Sequence, residues 1–440
     1  MGKVLNTTKS VCPVCFKTMP AAVTSCSDGI YLKKECTVHG AFSALIWAGD
    51  EESYLAWDRP NEKKDAIADA KPVEKGCPHD CGLCEMHRRQ TCCVLLEVTS
   101  RCNLGCPVCF ASANERTDRD PDIQTIAGWY RALMAKGGPF NIQLSGGEPT
   151  MRDDLDEIIR IGRKAGFTFF QLNTNGLRLA EDIDYTKRLE EAGLNCVYLQ
   201  FDSLKDTAYT VLRGQALLDI KKRVIEVCRK VGLGVVLVPT IVEGVNDDEL
   251  GKLILFAAEN LPTVRGIHFQ PATSVGRFEV QRAARRLTIP DILHRIETQT
   301  SGAVRRADFT AGGAENSYCS FHANYIVGKV LKPVKQTGDS CCSSSQSREV
   351  VARQWTLKEE QKSACCGENS PYETDSLDRF LFEREQRMLS ISGMLFQDAY
   401  NFDLNRVGQC YICEVTAEGG LVPFCAYNLT NTKGRYLHRR

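Results

Sequence analysis

The residues best suited to chemistry are Cys102, Cys106 and Cys109, in the stretch Ser100-Arg101-Cys102-Asn103-Leu104-Gly105-Cys106-Pro107-Val108-Cys109-Phe110. They follow the apolar run 94–99, which places them on a loop leaving a strand. Thiolates separated by three and then two residues can hold three irons of a cubane [4Fe–4S] cluster. The fourth iron then has no protein ligand, and an open iron is where a cofactor or substrate can chelate.

The same spacing occurs at Cys77, Cys81 and Cys84, with Cys92 or Cys93 close by as a fourth ligand. Cys92, just outside the coming strand, is freer to turn toward a cluster. A fully ligated auxiliary iron–sulfur cluster is expected here, with a structural zinc site as the alternative. Cys12-Pro13-Val14-Cys15 and Cys36-Thr37-Val38-His39-Gly40 read as two metal knuckles joined by a hairpin that turns at Ser27-Asp28-Gly29. The hairpin carries Cys26 roughly 25 Å from the knuckles at about 3.3 Å per residue. Cys12, Cys15, Cys36 and His39 then form a Cys3His site, which favours zinc. A shorter hairpin would exchange His39 for Cys26 and make a mononuclear iron site plausible.

Cys410, Cys413 and Cys425 flank another turn, Glu418-Gly419-Gly420, and Cys319 is the candidate fourth ligand. A second auxiliary cluster and a zinc site are both open for this set. The vicinal pairs Cys341-Cys342 and Cys365-Cys366 lie in a polar, Ser-rich stretch that reads as an insertion without a scaffold. Cys196 and Cys228 read as core.

These 22 cysteines lie in 440 residues with 55 basic and 55 acidic side chains. Clustered spacing in a long chain without an apolar leader points to metal ligation in a cytoplasmic, soluble protein rather than to disulfides. Zero formal charge offers no electrostatic case for nucleic acid. No window approaches the roughly 20 apolar residues of a spanning helix.

The elements that must position these groups alternate. Apolar runs at 94–99, 140–145, 167–173, 196–202, 234–241 and 264–270 are separated by amphipathic stretches at 154–165, 180–192, 217–231 and 248–260. Strand then helix, repeated six times, predicts an α/β fold with a parallel sheet and right-handed crossovers. A metal-ribbon module over 1–60 precedes it, then a linker with the first auxiliary cluster over 61–92. The α/β unit spans 93–300. A C-terminal cysteine-rich extension follows over 301–440, with weak periodicity at 301–370 and a helical pattern from 377.

The three-cysteine loop, followed one strand–helix unit later by Ser145-Gly146-Gly147-Glu148-Pro149-Thr150, resembles the radical S-adenosylmethionine (SAM) superfamily. That resemblance implies a partial (βα)6 barrel with its chemistry at the C-terminal ends of the strands. It also implies a cluster on Cys102, Cys106 and Cys109 that cleaves SAM to a 5′-deoxyadenosyl radical, with Gly146, Gly147 and Glu148 holding the SAM amino group. Asn173, Asn175, Asp202 and Ser203 on the same rim would meet the ribose, and Gln270 lies in the strand that resembles the adenine contact. His268 reads as packing. Many members carry an aromatic residue just before the third cysteine; here it is Val108, with Phe110 after.

The whole-chain layout is similar to a group that includes tetraether lipid synthases and methylases of 7,8-dihydro-6-hydroxymethylpterin. Carbon–carbon bond formation or alkylation at an unactivated carbon is common to both. Lipid-chain coupling, with peripheral membrane contact, is the first expectation and pterin methylation the alternative. A reductant such as ferredoxin or flavodoxin is the implied partner. A non-catalytic iron–sulfur electron carrier is a third, distant reading, which the Glu148 turn and the rim residues speak against. A lipid coupler needs a long apolar groove, whereas a pterin methylase needs a compact polar pocket with a stacking aromatic.

Overall fold

A computed structural model describes residues 2–59, 64, 65, 67, 70, 72–115, 119–278, 285–334, 344–357 and 384–439. Cys341, Cys342, Cys365 and Cys366 lie outside the described residues.

Six parallel strands form the centre: Cys93–Thr99, Asn141–Gly146, Phe170–Thr174, Cys196–Gln200, Gly234–Val238 and Val264–Pro271, neighbours in chain order. Helices Ile123–Ala135, Leu155–Lys164, Ile183–Ala192, Leu218–Val231, Leu250–Glu259 and Ile289–Gln299 accompany them. Side chains alternate along a strand. One set, including Ile142, Leu144, Leu172, Val197, Leu199 and Leu237, is fully buried in the apolar core. The other set, Gln143, Gln171, Asn173, Tyr198, Gln200, His268 and Gln270, lines an internal cavity. That inward face mixes these polar groups with apolar ones such as Leu95 and Val238, unlike the packed, wholly apolar interior of an ordinary closed barrel.

The C-terminal region extends both ends of this sheet. Met388–Met394 pairs in parallel with Val264–Pro271, and Ile412–Val415 pairs in parallel with Cys93–Thr99. Ser320–Val327 and Leu421–Pro423 add antiparallel strands outside them. The weakly periodic stretch 301–370 contributes the strands Ser320–Val327 and Leu331–Pro333, and the strand Met388–Met394 follows in the segment read from 377. Pairing with an existing sheet edge supports all three.

The Ser-rich insertion also has structure. Helix Ser344–Trp355 crosses the N-terminal ends of the barrel strands. Arg348 Nη2 donates to Thr91 O at 2.8 Å, Asn141 Nδ2 donates to Arg348 O at 3.1 Å, and the Arg265 Nε–H donates to Gln354 O at 3.3 Å. Val351 and Trp355 close the cavity from below.

The N-terminal module is a four-stranded antiparallel sheet, Lys3–Val11, Thr18–Cys26, Gly29–Cys36 and Gly40–Trp47. Among the described residues, no helix is long and apolar enough to cross a membrane.

Candidate active site

The loop carrying Cys102, Cys106 and Cys109 is restrained through the carbonyls of Cys102, Leu104, Cys106 and Val108. Asn114 Nδ2 donates to Cys102 O at 3.0 Å and Leu104 O at 3.3 Å, while Cys102 N donates to Asn114 Oδ1 at 2.8 Å. Arg277 Nε donates to Cys106 O at 2.8 Å, and Arg213 Nη1 to Val108 O at 3.1 Å. The short strand Arg277–Phe278 pairs with Val108–Cys109. Burial pushes Cys102 up to about 12 and raises Cys106, so neutral thiols hold their protons until a cation displaces them. Three thiols on one restrained loop, opening onto a cavity, fit a cubane with one open iron.

Gly146 and Gly147 lie against the start of this loop. A Cβ on Gly146 would lie 2.1 Å from Thr99 O, and one on Gly147 would lie 2.2 Å from Arg101 O. Gly147 N and Glu148 N donate to Thr99 O and Arg101 O, both at 2.8 Å. The turn and the cysteine loop therefore move as one body.

The rim residues divide. Gly146, Gly147, Glu148, Asn173, Asn175 and Gln270 line the cavity of about 300 Å³. Glu148 is only 1% exposed. Its Oε1 accepts from the Thr150 and Thr174 hydroxyls, both at 2.6 Å, and Oε2 accepts from Asn175 N at 2.7 Å. It therefore braces the second strand end to the third at the wall of the cavity.

Asp202 and Ser203 do not reach the cavity. Asp202 grips Arg213, and Ser203 hydrogen-bonds to Glu249. The expectation that they meet a ribose is corrected: the fourth strand ends at Gln200, and the following turn buries both side chains in neighbouring loops. Arg213, Tyr198, Trp355, Gln143 and Gln171 were not picked out in the sequence. One glutamine in each of four strands, Gln143, Gln171, Gln200 and Gln270, was the available signal.

The knuckle site is assembled as a Cys3His set. Ligand atoms of Cys12, Cys15, Cys36 and His39 lie within 4.8 Å of one another, and His39 Nδ1 is 3.5 Å from both Cys12 Sγ and Cys36 Sγ. The Val38 backbone N–H, aided by His39, pulls Cys36 down to about 6, which suits a thiolate ligand for zinc. Cys26 sits at the hairpin end, 3.2 Å from Lys33 Nζ, and takes no part.

The remaining cysteines regroup. Cys77 Sγ lies 3.6 Å from Cys81 Sγ. Cys81 is raised by that hydrogen bond, by burial and by the surrounding Cys77, Cys84 and Cys413 thiols. Cys92, the expected fourth member, instead lines the central cavity, pushed up to about 12 by burial beside Arg348. Cys319, Cys410 and Cys425 line a separate small cavity with Glu315 and Arg406. Cys413 lies within the strand Ile412–Val415, whereas Cys410 precedes it in the segment after the helix Leu404–Val407.

The comparisons agree with this geometry. Residues 96–257 match the Radical SAM superfamily, and residues 4–48 match the HMPTM N-terminal zinc ribbon domain. The chain is 37% identical over 473 residues to the 7,8-dihydro-6-hydroxymethylpterin dimethyltransferase of Methanocaldococcus jannaschii, covering 96% of this chain and 93% of that protein. GTP 3′,8-cyclase of Nautilia profundicola is 31% identical over 179 residues, 40% of this chain and 55% of the cyclase. Streptococcus suis SuiB bound to S-adenosylmethionine aligns with a TM-score of 0.41 at 17% identity, over 48% of this chain and 47% of that chain. With its cysteine loop, glycine turn and zinc ribbon in place, the chain belongs to the radical SAM superfamily.

Proposed function

We propose that this enzyme alkylates an unactivated carbon of a reduced pterin, with methyl transfer as the reaction class. The observation that carries the reading is the chamber. Amide side chains of Gln143, Gln171, Asn173, Gln200 and Gln270 face its interior, and Trp355 and Tyr198 lie 5.5 Å apart at its floor. Alternating amide donors and acceptors match the edge of a pterin ring, and the aromatic pair offers it a stacking face. Similarity to the pterin dimethyltransferase along nearly the whole chain supports the same reading over lipid-chain coupling.

A [4Fe–4S] cluster and SAM, when bound, supply hydrogen abstraction from an unactivated carbon. The protein's residues orient and exclude. Cys102, Cys106 and Cys109 would hold three irons, Gly146 and Gly147 would let the backbone approach the SAM amino group, and helix Ser344–Trp355 closes the far end of the barrel against water. Cys77, Cys81, Cys84 and Cys413 would hold an auxiliary cluster, and Cys319, Cys410 and Cys425 would hold a second. A low-potential protein of the ferredoxin or flavodoxin type delivers the electron.

The test is anaerobic turnover with SAM, a chemical reductant and 7,8-dihydro-6-hydroxymethylpterin labelled with deuterium. Deuterium in the released 5′-deoxyadenosine, with a methyl mass increment on the pterin, is the expected result. Pterin-independent SAM cleavage, together with loss of hydrogen from added ether lipids, would overturn the pterin reading in favour of lipid coupling.

A further inference from the structure

The hairpin 429–439 contains none of the metal-binding residues, yet it touches three metal-binding loops. It closes through Leu437 N donating to Leu429 O at 3.0 Å and Asn431 N donating to Arg435 O at 2.9 Å. At its tip, Thr432 N donates to Pro13 O at 2.9 Å and Asn431 Nδ2 to Val14 O at 3.1 Å, both inside the Cys12–Cys15 knuckle. Further along, His438 Nε2 lies 2.7 Å from Pro78 O, in the Cys77 loop. Between these, the Tyr436 hydroxyl donates to Phe110 O at 2.9 Å and lies 2.9 Å from Ser112 Oγ, directly after Cys109.

The segment after Cys109 needs such support. Ser112 and Asn114 adopt φ of 46° and 68°, conformations that non-glycine residues hold only when their surroundings impose them. The contact is also tight. A Cβ on Gly276 would lie 2.4 Å from Cys109 O and 2.7 Å from Tyr436 Oη, and Gly276 N donates to Thr430 Oγ1 at 2.9 Å.

We propose that hairpin 429–439 is a positioning element that ties the geometry of the SAM-cluster loop to the zinc knuckle, with Tyr436 as the positioning residue for Cys109. Tyr436 is not among the residues lining the chamber and acts through Phe110 O and Ser112. The inference rests on the SAM-cluster assignment and is independent of which substrate the chamber takes.

The experiment uses the full chain loaded with zinc and iron, and reads the change SAM causes in the electron paramagnetic resonance spectrum of the reduced cluster. In Tyr436→Phe, zinc content and iron content are expected to stay at wild-type levels. The SAM affinity drawn from the spectral titration is expected to fall about tenfold, the size of effect expected when a part-buried hydrogen bond is broken. KM for SAM should rise more than turnover falls. Asn431→Asp keeps the hairpin's internal acceptor but removes the donor to the knuckle; it should weaken SAM in the same way, with little further loss when combined with Tyr436→Phe. Wild-type SAM titration in Tyr436→Phe would overturn the proposal, as would independent addition of the two effects. Should Tyr436→Phe lose iron, Asn431→Asp alone decides, since an unchanged titration there removes the link to the knuckle.

Discussion

The Asp202 carboxylate holds the Arg213 guanidinium with both oxygens, at 2.7 and 2.8 Å, and the two side chains are 0% and 5% exposed. The same arginine reaches Val108 O at 3.1 Å, two residues after Cys106. A buried ion pair at the end of the fourth strand thus anchors the loop that leaves the first.

Asp202→Asn would leave that guanidinium buried without its counter-charge, a change that costs about 3–5 kcal/mol. We expect a lower melting temperature and loss of iron from the Cys102, Cys106 and Cys109 site, measured by calorimetry and metal analysis on the same preparation. Wild-type iron retention would show that the anchor is dispensable to the loop.

Glu148→Ala removes the acceptor shared by Thr150, Thr174 and Asn175 N. Each buried donor so orphaned costs about 1–3 kcal/mol. Reductive SAM cleavage is expected to fall at least tenfold, read as 5′-deoxyadenosine formed per enzyme without substrate. Cleavage at the wild-type rate would remove Glu148 from the SAM site.

Cys413 lies close enough to Cys81 to raise its thiol, whereas Cys92 lines the chamber, and iron content tests which of the two is a ligand. Cys413→Ser should lose the iron of one cubane and the matching part of the absorbance near 400 nm, ~4 irons per chain for a [4Fe–4S] cluster. Cys92→Ser should keep all of it, because its thiol faces the chamber. The reverse pattern would restore Cys92 as the ligand.

Trp355→Leu keeps an apolar residue on the helix but removes the ring 5.5 Å from Tyr198. Pterin affinity, followed by fluorescence titration, is expected to fall about fivefold to tenfold, the worth of one aromatic pair. SAM binding at the opposite end of the barrel should be unchanged.

Lys221 is completely buried, with Nζ on Asn175 O, and burial lowers it from 10.5 to about 8. Below pH 8 the ammonium is charged in the folded and unfolded chains alike, so the full cost of burying it is present. Between pH 8 and about 10.4 the unfolded chain binds more protons, and stability rises with pH. Lys221→Met removes this slope. Denaturant unfolding at pH 7.5 and pH 9.5 should therefore show wild type gaining on the variant as pH rises. A constant difference would place the lysine's proton elsewhere.

The sequence by itself determined the chemistry and the frame. The spacing of Cys102, Cys106 and Cys109, the Gly146-Gly147-Glu148 turn and six strand–helix alternations are local features. Each is set by the short-range geometry of a loop, a turn or a hydrophobic period. Strand rise favoured His39 over Cys26 but left Cys26 open for a shorter hairpin, and the full-length strands decide for His39.

Tertiary structure decided what long-range pairing controls. Cys413 and Cys92 took their places only when Ile412–Val415 joined the edge of Cys93–Thr99, a contact between segments more than 300 residues apart. Asp202 turned from a rim ligand into an anchor because Arg213 lay within reach of its oxygens. A Ser-rich insertion became the floor of the chamber because the open ends of parallel strands offered Arg348 the carbonyls of Thr91 and Pro139, and offered Trp355 the ring of Tyr198. Side-chain type restricts which partners a residue can accept, but only the packed chain brings those partners within hydrogen-bond distance.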